Sequence, residues 1–163
     1  MYTFKGAKRL PSFFMSIEDE IKQAKFRTAH QKAVINLIFT TNRMLGRQQD
    51  FFKPYGITNQ QFNILRILRG QYPGKISGAE IKGRMLDKNS DMSRLLERLD
   101  KKKLIEKTPC ASDKRAADIA ITQKGLDILA EIDRKIEVVE TEMLRLTPEE
   151  ALQLSHLLDK SRG

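Results

Sequence analysis

The apolar positions of this chain change period several times along its 163 residues, and each change marks a predicted element. Val34, Leu37, Ile38, Thr41, Leu45 and Gln48 share one face at spacings of three and four, with Ala33 and Met44 beside them. That spacing predicts a helix through residues 18–53, with a break near Arg27 and Thr28 left open. The acids Glu18, Asp19 and Glu20 suit its first turn, where the helix dipole favours negative charge. Lys53-Pro54-Tyr55-Gly56 stops it. Thr58-Asn59-Gln60-Gln61 has the form of a capping box. The helix behind it carries Phe62, Ile64, Leu65, Ile67 and Leu68 around much of its circumference, which predicts a buried, central position. Gly70–Gly74 ends that helix, and Ile76 is read as a short strand.

A second capping box, Ser77-Gly78-Ala79-Glu80, opens a helix near Gly78–Leu86, from which Ile81, Met85 and Leu86 are expected to point inward. A turn through Asp87-Lys88-Asn89 follows, and Ser90 is read as the cap of a helix near Ser90–Lys103. Met92, Leu95, Leu96 and Leu99 fall at i, i+3, i+4 and i+7 and must face the core. Ser90, Ser93, Arg94, Glu97 and Lys101 are then left on the outer face, with Arg98 at its margin. Leu104-Ile105 and Ile119–Thr122 read as strands around a basic hairpin through Pro109–Arg115. Thr122 caps a helix over 123–146, where Leu129, Ile132, Ile136, Val139, Met143 and Leu146 form a stripe of the coiled-coil type. Thr147-Pro148-Glu149-Glu150 starts the last helix, which runs to about Lys160.

Helix, tight turn, helix, hairpin is the order of a winged helix-turn-helix, a unit that sets its second helix into the DNA major groove. The fold expected is mainly α, an α+β winged helix. Residues 1–16 form an arm, and 17–163 form one domain. Within it a winged helix-turn-helix lobe lies at about 57–122. Helices at about 18–53 and 123–161 form a dimerisation lobe. The stripe of Leu129, Ile132, Ile136, Val139 and Met143 is assigned to contact with a second subunit, because a narrow apolar row on a charged helix packs on another helix. For the arm, one reading starts the native chain at Met15; the other has a basic arm touching DNA or the partner subunit.

Charge sharpens this picture. The formal net charge is +9, and it is uneven: residues 1–56 carry +6, 57–74 carry +2, 75–124 carry +5 and 125–163 carry −4. Positive charge over the helix-turn-helix suits a polyanion, since neutralised phosphates release counterions. No apolar run reaches the ~18 residues of a membrane span, so no membrane partner is expected. A single cysteine excludes an internal disulfide framework and fits a reducing, cytoplasmic setting. The two histidines, His30 and His156, lie far apart, and no Cys/His cluster has metal spacing. No phosphate-binding glycine loop follows a strand. An enzyme, a metal site and a cofactor are therefore not expected.

The chemistry that remains is DNA recognition. Arg94 lies one turn into the outer helix, where its guanidinium can meet O6 and N7 of a guanine. Ser90 and Ser93 suit phosphates or base edges, and Arg98 lies beside them. Lys101, Lys102 and Lys103 complement the helix C-terminus or meet the DNA backbone. At the hairpin tip, Lys114 and Arg115 can enter a minor groove, with Asp113 supporting the turn.

The stretches GITNQQFNILRIL, SGAEIKGRML and DMSRLLERLDKKKLIEKTPCASDKRAADIAITQKG resemble the MarR family of bacterial transcriptional regulators over about residues 30–160. The resemblance implies a homodimer built by the terminal helices, binding to double-stranded, pseudo-palindromic operators, and repression relieved by a small ligand or by oxidation. A small aromatic effector is the ligand class expected. Asp113 and Arg115 match the family's wing Asp-x-Arg, which makes Arg115 the minor-groove residue and Asp113 its support. Asp118 departs from the Arg or Thr that relatives often carry three residues past that Arg, which weakens any phosphate contact there. Cys110, at the base of the wing, is read as incidental rather than as an oxidant sensor. Two other readings stay open: a winged-helix protein-interaction module, and a sequence-neutral architectural DNA binder.

Overall fold

The computed structural model describes residues 15–109 and 117–163. Most of the N-terminal arm lies outside these residues, as do Cys110, Asp113, Lys114 and Arg115 of the wing. By contact the chain divides into two compact units, one ending at Met44 and the other spanning Leu45–Gly163.

The first unit holds α1 (Ile17–Glu20) and most of α2 (Ala29–Phe52). The break left open near Arg27 is real and wider than expected, so the helix does not run unbroken through 18–53. Ser16 caps α1 by accepting the Asp19 amide, and Lys22 then turns the chain at a positive φ of 53°. A new start is made at Thr28, whose hydroxyl accepts the Gln31 amide at 3.0 Å while the Gln31 side chain accepts the Arg27 amide at 2.8 Å. Two ion pairs tie α1 to α2: Lys32–Glu18 at 2.6 Å and Arg43–Glu20 at 2.9 Å. The Lys32 ammonium, donating to Glu18, holds that carboxyl below the usual glutamate value. Val34, Leu37 and Ile38 of α2 are exposed in the single chain.

In the second unit α2 ends at the buried Phe52, and a 3-10 turn at Lys53–Tyr55 closes on Gly56, whose φ of 66° suits a residue without a Cβ. The capping box of Thr58 and Gln61 starts α3 (Asn59–Arg69). This helix is central as expected, with Ile64, Leu65 and Leu68 buried. Then come β1 (Ile76–Ser77), α4 (Gly78–Arg84), α5 (Met92–Lys101), β2 (Ile105–Pro109) and β3 (Ala117–Ile121). The chain closes with α6 (Gln123–Leu144) and α7 (Pro148–Arg162). The sheet is antiparallel in the order β1-β3-β2, with Ile76 opposite Ile119 and Ile105 opposite Ile121. Ile76, Ile81, Leu96, Leu99, Leu104, Ile119 and Ile121 gather from these elements into one core. Each such side chain contributes roughly 1.5–3 kcal/mol when fully buried.

Three sequence expectations need correction. Leu86 does not point inward: α4 stops at Arg84, Met85 takes extended backbone, and Leu86 is 90% exposed. Its amide instead donates to the Asn63 side chain at 2.9 Å, which holds the turn against α3. Ser90 does not cap α5; Asp91 does, accepting the Arg94 amide at 3.1 Å. Leu129 and Ile132 are both 0% exposed within the single chain, so they belong to its own core and cannot serve a subunit seam. Ile136 also packs against that core. The reason lies one turn earlier. Thr122 caps α6, and Gly125 lets it approach closely: a Cβ there would sit 2.4 Å from the Leu104 carbonyl oxygen. The first turns of α6 are thereby laid onto the core. The helix ends at Arg145, whose φ is 53°, so Leu146 falls beyond it.

Candidate nucleic-acid interface

The outer face of α5 follows from how its inner face is anchored. Leu96 and Leu99 are buried, and Met92 and Leu95 pack partly against the same core. At about 3.6 residues per turn, that stripe leaves Ser93, Arg94, Glu97, Arg98 and Lys101 exposed on the other side. The structure thus brings Ser93, Arg94 and Arg98 together on one surface.

Neither Arg94 nor Arg98 has an ion pair among the described residues. Glu97, the obvious neighbour for Arg94, is taken by Lys101 at 2.6 Å. The Lys101 hydrogen bond is also the main cause that lowers the Glu97 pKa, so Glu97 stays ionised. The rest of the lysine run divides its work. Lys102 donates to the Gly56 carbonyl, and Lys103 adopts a positive φ of 59° where the chain leaves α5. Lys102 therefore ties the end of α5 to Gly56, and Lys103 turns the chain out of the helix.

Ser90 is half-buried beside the helix start and donates its hydroxyl to Asp87 at 2.8 Å. Asp87 also accepts the Asn89 amide at 3.0 Å. Ser90 is thus a turn-holding residue whose oxygen keeps acceptor capacity for a further donor. A shallow, open depression of about 360 Å³ lies here, lined by Thr58 and Gln60 at the start of α3, by Asp87, Ser90 and Asp91, and by Arg94 and Arg98. Sequence reasoning missed Asp91, although Asp caps as well as Ser. It also missed that the start of α3 borders the α5 surface, a tertiary fact that periodicity does not carry.

The wing is set by β2 and β3, paired from Ile105–Ile121 out to Pro109–Ala117. Lys75 reaches Thr108 at 3.3 Å and Glu106 at 3.9 Å, tying β2 to the chain before β1. Asp118 is half-buried in β3, opposite both Ser77 and Thr108.

This arrangement defines a winged helix-turn-helix protein whose second helix is turned outward. Comparison with known proteins places it further. The MarR family model matches residues 57–117. The repressor MdtR of Bacillus subtilis is 31% identical over 106 residues, covering 64% of this chain and 67% of that protein. The regulator PecS of Dickeya dadantii is 29% identical over 127 residues, covering 76% of this chain and 75% of that protein. A MarR family regulator from Streptomyces coelicolor, solved in complex with DNA, has the same fold with a TM-score of 0.72 at 20% identity. It covers 85% of this chain and 89% of that one. The chain belongs to the MarR family and is a transcriptional regulator.

Proposed function

We propose that this protein is a repressor that binds a pseudo-palindromic operator as a homodimer in the cytoplasm and releases it when a small ligand binds. The observation that carries the DNA reading is Arg94: exposed, without an ion pair among the described residues, and held outward by a helix whose other face is buried. A guanidinium so placed recognises a guanine edge with two hydrogen bonds. Ser93 and Arg98 flank it and suit phosphate or base contacts. Lys114 and Arg115, with Asp113 as support, take the minor groove by resemblance to the family. Repression is supported by the name of the MdtR relative, and DNA binding by the Streptomyces coelicolor complex.

The dimer is supported by apolar surface that the single chain leaves uncovered. Val34 and Ile38 of α2 are each 56% exposed, and Leu152 of α7 is 73% exposed. Apolar rows of this kind on a soluble protein mark interaction sites. Val139 and Met143, half-buried on the last turns of α6, remain available to such an interface. The small-ligand reading rests on family resemblance.

The test compares Arg94→Ala with the unaltered protein on a duplex selected from random DNA and on a random duplex. Loss of roughly 1–3 kcal/mol on the selected duplex alone is expected. Equal weakening on both would make Arg94 a phosphate contact and remove its reading role.

A further inference from the structure

At the middle of the α5 surface stands a carboxylate. Measured against the stripe of Met92, Leu95, Leu96 and Leu99, the direction farthest from the core falls between Glu97 and Arg94, with Lys101 one turn on. Glu97 is therefore as central to any groove-facing surface as Arg94 is. Its side chain is exposed, and Lys101 holds it at 2.6 Å. A helix built only to grip phosphate gains nothing from an acid at its centre, since a carboxylate repels the backbone of every sequence alike. An acceptor-only group facing the major groove has one favourable partner class, the exocyclic amino group of a base, and cytosine N4 above all.

We propose that Glu97 is a specificity-determining residue of the operator complex, accepting from a base amino group next to the guanine read by Arg94, with Lys101 orienting it. The inference rests on the DNA-binding reading above. Glu97 acts in two ways. It favours sequences that present an amino group at its position, and it penalises all others through uncompensated repulsion. It therefore lowers affinity for random DNA while raising discrimination. Lys101 offsets part of the charge and limits the rotamers of the carboxylate. In this role Lys101 is a positioning residue.

The experiment selects bound duplexes from random DNA with the unaltered protein, with Glu97→Gln and with Glu97→Ala, and measures affinity for one random duplex at several salt concentrations. The expected result is a cytosine preference in each half-site that Glu97→Ala flattens at that position only. Glu97→Gln should shift the preference toward adenine, whose N6 and N7 an amide can bind together. Both variants should bind the random duplex severalfold more tightly. An unchanged base preference, with selected and random DNA tightened equally, would overturn the proposal and leave Glu97 as the ion-pair partner of Lys101 alone. If the unaltered protein selects no sequence at all, the DNA-reading function falls together with this inference, an outcome distinct from the last. Because the Glu97 side chain is exposed, an unchanged melting temperature confirms that every variant is folded.

Discussion

Arg94 and Gly125 show how much can rest on one side chain or on its absence. Arg94 is placed by its neighbours: Leu95, Leu96 and Leu99 fix the helix rotation, and Asp91 fixes its start. Gly125 is required because the Leu104 carbonyl oxygen and Ile121 Cγ1 would lie 2.4 Å and 2.7 Å from a Cβ. The closer neighbour is backbone and cannot swing away. Gly125→Ala is expected to destabilise the fold by about 1–3 kcal/mol through overpacking, read as a lower urea midpoint at unchanged slope. Such residues were partly legible in the sequence. The leucine register alone turned Arg94 outward. The cap at Asp91 was missed because two good capping residues, Ser90 and Asp91, adjoin, and only the turn geometry chooses between them.

Among the elements, α1 and α6 are the instructive pair. The stripe on α6 was plain, but its owner was not, because spacing announces a neighbour without saying whose it is. Leu129 and Ile132 went to the chain's own core once Thr122 and Gly125 had set the helix against β3 and Leu104. Leu86 was misread for a related reason: an apolar residue one step past a helix end looks like its last inward position. The capping boxes at Thr58, Ser77 and Thr147 were legible because they are local, each satisfying helix amides within four residues. For α1, the Glu18–Lys32 pair sets a pH dependence. Glu18 titrates below the ordinary 4.5 in the folded chain, so its contribution is present above that value and fades as pH falls through the folded pKa. Amide exchange in α1 should therefore quicken as the pH falls below 4.5 and through the lowered Glu18 pKa, relative to Lys32→Ala, which lacks the pair at every pH. Equal quickening in both proteins would remove Glu18 as the cause.

For the whole molecule, the question is what covers the exposed leucines and isoleucines of α2 and α7. A second copy is our proposal, and the packing of α6 on the chain's own core decides where it is tested. Ile136 now packs on the chain's own core, so charge there would disturb folding as well as association. Ile38→Glu and Leu152→Glu are cleaner, because both side chains are exposed in the single chain. Each is expected to shift sedimentation toward monomer with secondary structure intact, and to weaken operator binding. A dimer of undiminished strength in both variants would mean that these rows are not the interface.

The most direct measurement is the spacing of what the protein selects from random duplex DNA. Two outward α5 helices related by a dimer axis should recover inverted half-sites about 10 bp apart, centre to centre, each carrying a guanine lost with Arg94→Ala. Salt-sensitive binding with no enriched sequence, or a single unrepeated site, would contradict a dimeric, sequence-reading repressor.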